Sequence, residues 1–133
     1  MRIRISACAL LLLIISGSSA QQRPHVTGFF SDMHYISDAG DVLGTEVWIV
    51  YARGGFWATV QMAEGAPDPP IVVPVEVSGT RVKFTVREPL VNQDGKAAPD
   101  SVTNFDGTVT RAGLAGTINS RPLSLKRRNS YWQ

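Results

Sequence analysis

Cysteine is almost missing from this 133-residue chain, which contains only Cys8. That residue lies in an apolar N-terminal stretch that we expect to be cut off, so the mature chain is predicted to have no disulfide and no thiol chemistry. Without disulfides the protein needs its own apolar core or a partner. The 113 residues that follow position 20 are enough to bury such a core.

An excess of charge of one sign is also missing. The chain has 13 Lys and Arg against 11 Asp and Glu, but Arg2 and Arg4 belong to the N-terminal stretch, so the remaining 113 residues carry eleven of each sign. Such a balance lacks the positive charge that nucleic-acid binding uses. No apolar run after residue 20 approaches the roughly 20 residues that span a bilayer. We therefore expect neither nucleic-acid binding nor a membrane span.

Motifs for catalysis or metal binding are missing as well. His25 and His34 have no cysteine or third histidine near them in sequence, and the chain contains no nucleophile elbow, phosphate-binding loop or dinucleotide fingerprint. Three carboxylates occupy predicted outward or turn positions, where they are solvated or salt-bridged: Glu46, Glu64 and Glu76. The sequence therefore predicts no enzyme activity, no metal ion and no cofactor.

The first twenty residues have the layout of a secretory signal peptide. Residues 1–4 carry two positive charges, residues 5–15 are apolar, and residues 16–20 are small, ending at Ala20 before the polar Gln21. We predict cleavage between Ala20 and Gln21, a secreted or periplasmic location, and one domain over residues 21–133.

The rest of the chain has the pattern of short β-strands. Runs rich in Val, Ile, Thr and aromatic residues alternate with Gly-, Pro-, Asn- and Asp-containing turns, and no amphipathic window is long enough for a helix. Eight strands are predicted: 26–36, 42–52, 56–64, 71–77, 81–87, 102–111, 114–119 and 123–128. Each has one apolar face and no helix to cover it, so the sequence predicts an all-β fold, a single antiparallel eight-stranded up-and-down β-barrel. A two-sheet sandwich is the alternative. Pro74 lacks a backbone donor and is expected at a bulge or an unpaired edge.

Turn positions predict which side chains share a face. A two-residue turn at Gly54-Gly55 pairs apolar residues on the inner face: Val47 with Met62, Ile49 with Val60, and Tyr51 with Ala58. The same register leaves four candidate ligand- or partner-binding residues on the outer face: Trp48, Trp57, Thr59 and Gln61. A three-residue turn would exchange the faces and make these four residues line an inner ligand cavity.

Two further hairpins are predicted in the same way. A turn at Gly79-Thr80 gives the pairs Val77 with Val82, Val75 with Phe84, Val73 with Val86, and Glu76 with Lys83 as opposite charges. A turn at Ala112-Gly113 gathers Phe105, Val109, Leu114 and Ile118 on one face and pairs Thr108 with Thr117 and Asp106 with Asn119.

The mature chain resembles the small secreted barrels of the calycin group, lipocalin-like or avidin-like, and is similar to uncharacterised bacterial exported proteins of that shape. The residues that carry the resemblance are Gly28-Phe29-Phe30, Gly40-Asp41, Gly44-Thr45-Glu46, Gln61, Glu64-Gly65, Phe105-Asp106-Gly107-Thr108, Leu114-Ala115-Gly116-Thr117, Leu123 and Lys126-Arg127. Lipocalins have a Gly-x-Trp on the first strand and an Arg on the last strand that packs over that Trp. In this chain Phe30 takes the Trp position, and Arg127 or Arg128 would serve as the Arg.

Two functions fit these patterns. The first is a non-catalytic exported binding module that holds a small apolar ligand or binds an envelope protein. The alternative is a filled barrel with no ligand cavity that acts through its outer surface. The C-terminal residues 126–132 mix basic and aromatic side chains. We expect Tyr131 and Trp132 to plug the barrel mouth, to pack on its wall, or to shield Trp48 and Trp57; contact with an anionic surface is the alternative.

Overall fold

The computed structural model describes residues 25–133, which form a closed antiparallel sheet. Its strands are β1 (Gly28–Ser31), β2 (His34–Ile36), β3 (Asp41–Ala52), β4 (Gly55–Gly65), β5 (Ile71–Ser78), β6 (Arg81–Val91), β7 (Ala97–Val109), β8 (Gly113–Ile118) and β9 (Arg121–Arg127). Sequence neighbours pair throughout from β3 to β9, and β1 pairs with both β3 and β9. Strands β1 and β2 both lie along β3, so they act as one interrupted strand. The predicted eight-stranded up-and-down barrel is confirmed, and the sandwich alternative is wrong.

The predicted signal peptide and its cleavage site lie outside the described residues, and the domain bounds that depend on them stay predictions. Within the described range, no helix is long and apolar enough to cross a membrane.

The interruption between β1 and β2 is held by a side chain. Asp32 Oδ1 accepts a hydrogen bond from the backbone N–H of Thr45 at 2.6 Å, and the Asp32 N–H donates to the Thr45 carbonyl at 3.1 Å. Gly44 lies directly against this segment at a φ of 117°, and a Cβ there would come within 2.8 Å of the Asp32 carboxylate. Only glycine fits both the positive φ and the close approach.

The β3–β4 hairpin turns one residue earlier than predicted. The turn residues are Arg53 and Gly54, with φ values of 52° and 82°, as a type I′ turn requires. Val47 therefore lies opposite Val60 rather than Met62. The pairing has shifted by two residues, which leaves every side chain on its predicted face.

An aromatic contact favours the observed register. Tyr51 lies opposite Phe56, and their rings meet edge to face at 4.9 Å, whereas the predicted register would have placed Tyr51 opposite Ala58. Tyr51 was predicted to lie inside, but it is at the end of the strand and 42% exposed. Its position on the inner side therefore does not bury it.

The β7–β8 hairpin shows the same kind of shift. Its turn residues are Arg111 and Ala112, because the Thr110 hydroxyl accepts hydrogen bonds from the N–H groups of Ala112 and Gly113 at 3.2 and 3.3 Å. Thr108 lies opposite Ala115 rather than Thr117, and Asp106 lies opposite Thr117 rather than Asn119. The predicted inner residues keep their face: Phe105, Val109 and Leu114 are buried, and Ile118 is half-buried.

The β5–β6 register is confirmed where these strands pair, with Val77 opposite Val82 and Glu76 opposite Lys83. The ladder ends at the Glu76–Lys83 pair. The predicted pairs of Val75 with Phe84 and of Val73 with Val86 are therefore not formed as ladder partners, although Val75 and Phe84 are both buried. Pro74 pairs with Trp57 of β4 and lies beyond the end of the β5–β6 ladder. Its missing N–H thus falls where β5 has no ladder partner in β6, as predicted.

Lys83 was predicted to form an ion pair with Glu76, but it pairs instead with Asp106 of β7. Asp106 of β7 accepts hydrogen bonds from Arg81 Nε at 2.9 Å and Nη2 at 2.7 Å, and the Lys83 ammonium lies 3.4 Å from the same carboxylate. The pKa of Asp106 is lowered to about 2, and hydrogen bonding from Arg81 is the main cause.

The barrel interior is filled by side chains that pack on one another. Every strand except the short β2 contributes, and the core cluster comprises Val26, Phe30, Val47, Ile49, Ala58, Val60, Val73, Val75, Val82, Phe84, Val86, Phe105, Val109, Leu114 and Leu125. Within this cluster the rings of Phe84 and Phe105 stack at 4.7 Å.

Arg127 closes one side of the barrel where β1 meets β9. Its guanidinium lies 4.6 Å from the centre of the Phe30 ring and donates to the Thr27 carbonyl at 2.7 Å. Gly28 leaves the space for it, because a Cβ at this position would collide with the guanidinium. Of the two arginines predicted for this role, the structure places Arg127 over Phe30.

Replacement of Phe84 by alanine tests the packed core. Phe84 is 6% exposed, so Phe84→Ala is expected to lower the free energy of unfolding by about 3–5 kcal/mol. The exposed, cross-strand Glu76→Lys is the control and is expected to cost at most about 1 kcal/mol. Urea denaturation measures both. Equal effects of the two substitutions would contradict this inward placement of Phe84.

The pKa of Asp106 predicts a pH dependence at low pH. Because folding lowers this pKa, the pair stabilises the fold above the ordinary aspartate pKa of about 4, and the contribution is lost as the pH falls through about 2. Carbon-13 NMR titration of the Asp106 carboxyl is expected to give a midpoint near 2. Arg81→Gln is expected to raise the midpoint towards about 4, whereas Arg111→Gln, at the β7–β8 turn, leaves it unchanged. An unchanged midpoint in Arg81→Gln would show that the pair does not set this pKa.

Candidate functional site

A row of outward side chains crosses four strands of the barrel. Strand register places them side by side, one each from β1, β3, β4 and β5: Phe29, Trp48, Thr59 and Val72. Their sequence neighbours point inward into the core, so this row points outward because side chains alternate along a strand. The rings of Phe29 and Trp48 stack in parallel at 4.9 Å.

A second outward row lies beside the first. It contains Val50, Trp57 and Pro74 in register. The indole N–H of Trp57 donates to the carbonyl of Ala52 at 3.2 Å, which fixes the ring along the strand.

We call Phe29, Trp48, Trp57, Val72 and Pro74 together the outer aromatic face. It remains accessible to solvent, with exposed fractions of 42% for Trp48, 36% for Trp57 and 63% for Val72. Large apolar side chains that lie next to one another on an outer surface mark an interaction site.

A third row, formed by Glu46 and Gln61, is covered by the C-terminal tail, residues 129–133. Glu46 Oε1 accepts a hydrogen bond from the Ser130 hydroxyl, and Oε2 accepts one from the Tyr131 backbone N–H, both at 2.7 Å. These contacts leave Glu46 only 7% exposed. A carboxylate buried to this extent requires such donors.

The tail also brings a tryptophan to this row. The Trp132 indole N–H donates to Gln61 Oε1 at 2.8 Å, while Gln61 Nε2 donates to the Asp68 carbonyl at 2.8 Å. The Gln61 amide is therefore held at both ends. It presents its oxygen to the tail.

The tail and the barrel wall border an open cleft of about 240 Å³, which we call the tail cleft. Its apolar side is formed by Phe29, Trp48 and Pro70, and its polar side by Glu46, Thr59 and Gln61. The polar side carries hydrogen-bond acceptors, and the tail supplies the donors.

The structure brings three of the four predicted site residues together. Trp48, Thr59 and Gln61 line the tail cleft, whereas Trp57 lies in the neighbouring row outside it. Both tryptophans are on the outer face, as the two-residue turn predicted, and the three-residue alternative is wrong. The tail lies across the cleft from Trp48, which nevertheless remains 42% exposed, so the predicted shielding of the two tryptophans stays a prediction.

Sequence reasoning missed Glu46 as part of the site. It treated this carboxylate as solvated, but the residue has the same strand parity as Trp48 and lies opposite Gln61. That parity was readable from the predicted register. The hydrogen bonds from Ser130 and Tyr131 were not, because they join residues more than 80 positions apart.

A wider and more polar cleft lies where β5 and β6 separate. Its polar groups bond to one another: the Thr85 hydroxyl donates to Asn104 Oδ1 at 2.8 Å, and the Asn104 N–H donates to Asn119 Oδ1 at 2.9 Å. In residues 25–133 no cluster of three or more His, Cys, Asp or Glu residues is arranged to hold a metal ion. The tail cleft and the outer aromatic face are therefore the stronger candidate site.

Acrylamide quenching of single tryptophans tests the cover formed by the tail. In a chain that retains only Trp48 (Trp57→Phe with Trp132→Phe), removal of residues 130–133 is expected to increase quenching, because the tail lies beside this indole. A chain that retains only Trp57 is the control. The same truncation is expected to leave its quenching unchanged, and equal increases at both positions would contradict the observed tail position.

No protein-family model, curated protein or solved structure matches this chain. Function is therefore inferred from the contacts of the outer aromatic face and of the tail.

Proposed function

We propose that this chain is an exported, non-catalytic binding module that recognises an envelope protein through its outer aromatic face. The observation that carries the proposal is the pair of adjacent rows, in which Trp48, Trp57 and Val72 stay exposed on the outside of a rigid sheet. Tryptophan is enriched among the side chains that dominate protein–protein binding energy. A sheet face also holds its side chains in place, which reduces the entropy lost on binding.

Packing inside the barrel supports an outer rather than an inner site. Residues such as Phe30, Ile49 and Leu114 are fully buried in one core cluster, and the stacked rings of Phe84 and Phe105 belong to the same cluster, so side chains pack together inside the barrel. This favours the filled barrel that acts through its surface over a barrel that holds a small apolar ligand.

The contact between Arg127 and Phe30 supports a relationship to calycins. Gly28, Phe30 and Arg127 adopt the arrangement that the resemblance to lipocalins implies, with an arginine of the last strand over an aromatic ring of the first. The proposed relationship concerns the fold. The role assigned to the outer aromatic face rests on this chain's own surface.

Export is the second part of the proposal and rests on the charged, apolar and small-residue segments of residues 1–20. The intact mass of protein recovered from the periplasm or medium is expected to correspond to a chain that starts at Gln21. A recovered chain that retains residues 1–20 would refute the proposed cleavage.

Substitution on the outer aromatic face tests the binding role. Native mass spectrometry of the protein purified from its host's envelope fraction is expected to show a bound polypeptide, and Val72→Asp is expected to remove it. Loss of a central contact costs roughly 2 kcal/mol, about 30-fold in affinity. The matched control is Val91→Asp, because Val91 is similarly exposed, at 72%, but lies at the tip of the β6–β7 hairpin.

Thermal unfolding of both variants checks that each is folded. A polypeptide that binds Val72→Asp as well as it binds the unaltered chain would refute the proposed surface. A bound small molecule in place of a polypeptide would instead favour the interior as the site.

A further inference from the structure

We infer that the tail cleft is a binding site for a peptide segment of a partner protein that carries a serine or threonine followed two positions later by a tryptophan. The tail borders this cleft, and residues 130–132, Ser-Tyr-Trp, already bind its hydrogen-bond acceptors, Glu46 and Gln61. This inference rests on the proposed function and specifies the partner's chemistry.

The contacts of the tail define what the cleft accepts. One hydroxyl and one backbone N–H satisfy the two oxygens of Glu46, and one indole N–H satisfies Gln61. These three donors come from three consecutive residues, and the Ser130 hydroxyl also accepts a bond from the Trp132 N–H at 3.3 Å. The compact segment therefore matches a row of acceptors spaced by the sheet.

Chemistry of the uncovered cleft excludes other occupants. When the tail is displaced, Glu46 loses both of its hydrogen-bond donors. An occupant that covers the carboxylate must therefore supply new donors to it. An aliphatic molecule supplies no donor, and a phosphate or nucleic acid is repelled by the carboxylate. A peptide supplies the backbone N–H at any sequence, and the hydroxyl and indole at the stated spacing.

The contacts that hold the tail allow a partner segment to displace it. The Arg128 N–H donates to the Phe29 carbonyl, and beyond it the backbone–backbone bond found in the tail is internal, from Gln133 to Ser130. The hydrogen bonds from the Ser130 hydroxyl, the Tyr131 N–H and the Trp132 indole to the barrel all end on side chains, those of Glu46 and Gln61. Trp132 is still 54% exposed. The tail acts as a tethered ligand whose advantage is its high local concentration.

A partner segment has contacts available that the tail does not use. The tail cleft opens beside Trp48, and the outer aromatic face continues from there to Val72 and Trp57. A longer segment that makes the tail's three hydrogen bonds and also covers this surface buries apolar area that residues 130–133 leave exposed. This added area is what allows a partner to displace the tethered tail.

The test uses the chain that ends at Asn129 and a dye-labelled peptide of residues 129–133, Asn-Ser-Tyr-Trp-Gln, in fluorescence polarisation. Saturable binding to the truncated chain is expected, with at least roughly 10-fold weaker binding to the full chain because its own tail competes. Peptides with Ser130→Ala or Trp132→Leu are each expected to bind about 10-fold less tightly, since each leaves an acceptor of the cleft unpaired.

Variants of the cleft give the matching evidence from the protein side. In the truncated chain, Glu46→Gln and Gln61→Ala are each expected to weaken peptide binding about 10-fold, because a charge-assisted bond or an indole bond is lost. Glu64→Gln is the control, since Glu64 is on the same strand as Gln61 but exposed and outside the cleft. Thermal unfolding confirms that each variant is folded, and Gln61→Ala keeps the test valid if Glu46→Gln does not fold.

Three results would overturn the inference: no saturable binding to the truncated chain, equal binding to the full and truncated chains, or equal binding to Gln61→Ala and Glu64→Gln. These results leave the proposed function open to its own test. A polypeptide that is lost on Val72→Asp in the native experiment would then show that the outer aromatic face binds a partner without a peptide in the cleft.

Discussion

Strand β1 hydrogen-bonds to strands on both of its sides, and this closure is the constraint on which the rest of the structure depends. It joins β3 through four residue pairs and β9 through two, and Arg127 braces the joint through Phe30 and the Thr27 carbonyl. Because β1 pairs with β3 on one side and with β9 on the other, the sheet closes and the apolar sides of all strands except the short β2 face a common interior. It also fixes an outside, because each inward residue places its sequence neighbours on the opposite surface.

The outer aromatic face is a direct product of this alternation. Phe30, Val47 and Ala58 fill the core, so Phe29, Trp48 and Thr59 stand in a row on the wall. Exposure of such side chains has a cost in water, and the fold offsets it only in part, by the Phe29–Trp48 stack and by the tail beside Trp48. The remaining exposed surface is what makes an interaction role the best-supported function.

The tail connects this surface to the last strand. Strand β9 ends at Arg127, and the chain then crosses the wall and places three donors on Glu46 and Gln61. A buried carboxylate on an outer face is unusual, because it needs partners that the sheet itself does not provide. Here the same few residues cover the carboxylate and lie beside the Trp48 indole. Glu46 therefore has its hydrogen-bond donors without a partner, and a partner that offers the same donors can replace them.

The sequence by itself did not determine the break between β1 and β2 or the longer β6–β7 hairpin, but it determined the barrel, the approximate positions of its strands and the faces on which their side chains lie. These depend on local turn residues and on a period of two, and a register shift of two residues at the β3–β4 and β7–β8 turns changed partners without changing faces. Trp48 and Trp57 could therefore be placed outside from the sequence alone, and Pro74 at a point where one side of its strand has no ladder partner. Only the tertiary structure decided that Asp106 rather than Glu76 pairs with Lys83, and that Glu46 and Gln61 hold the tail. The β6–β7 register brings Asp106 to Lys83, and barrel closure brings the tail to β3 and β4. Both kinds of contact join residues far apart in sequence, and no local pattern in the chain encodes the distance between them.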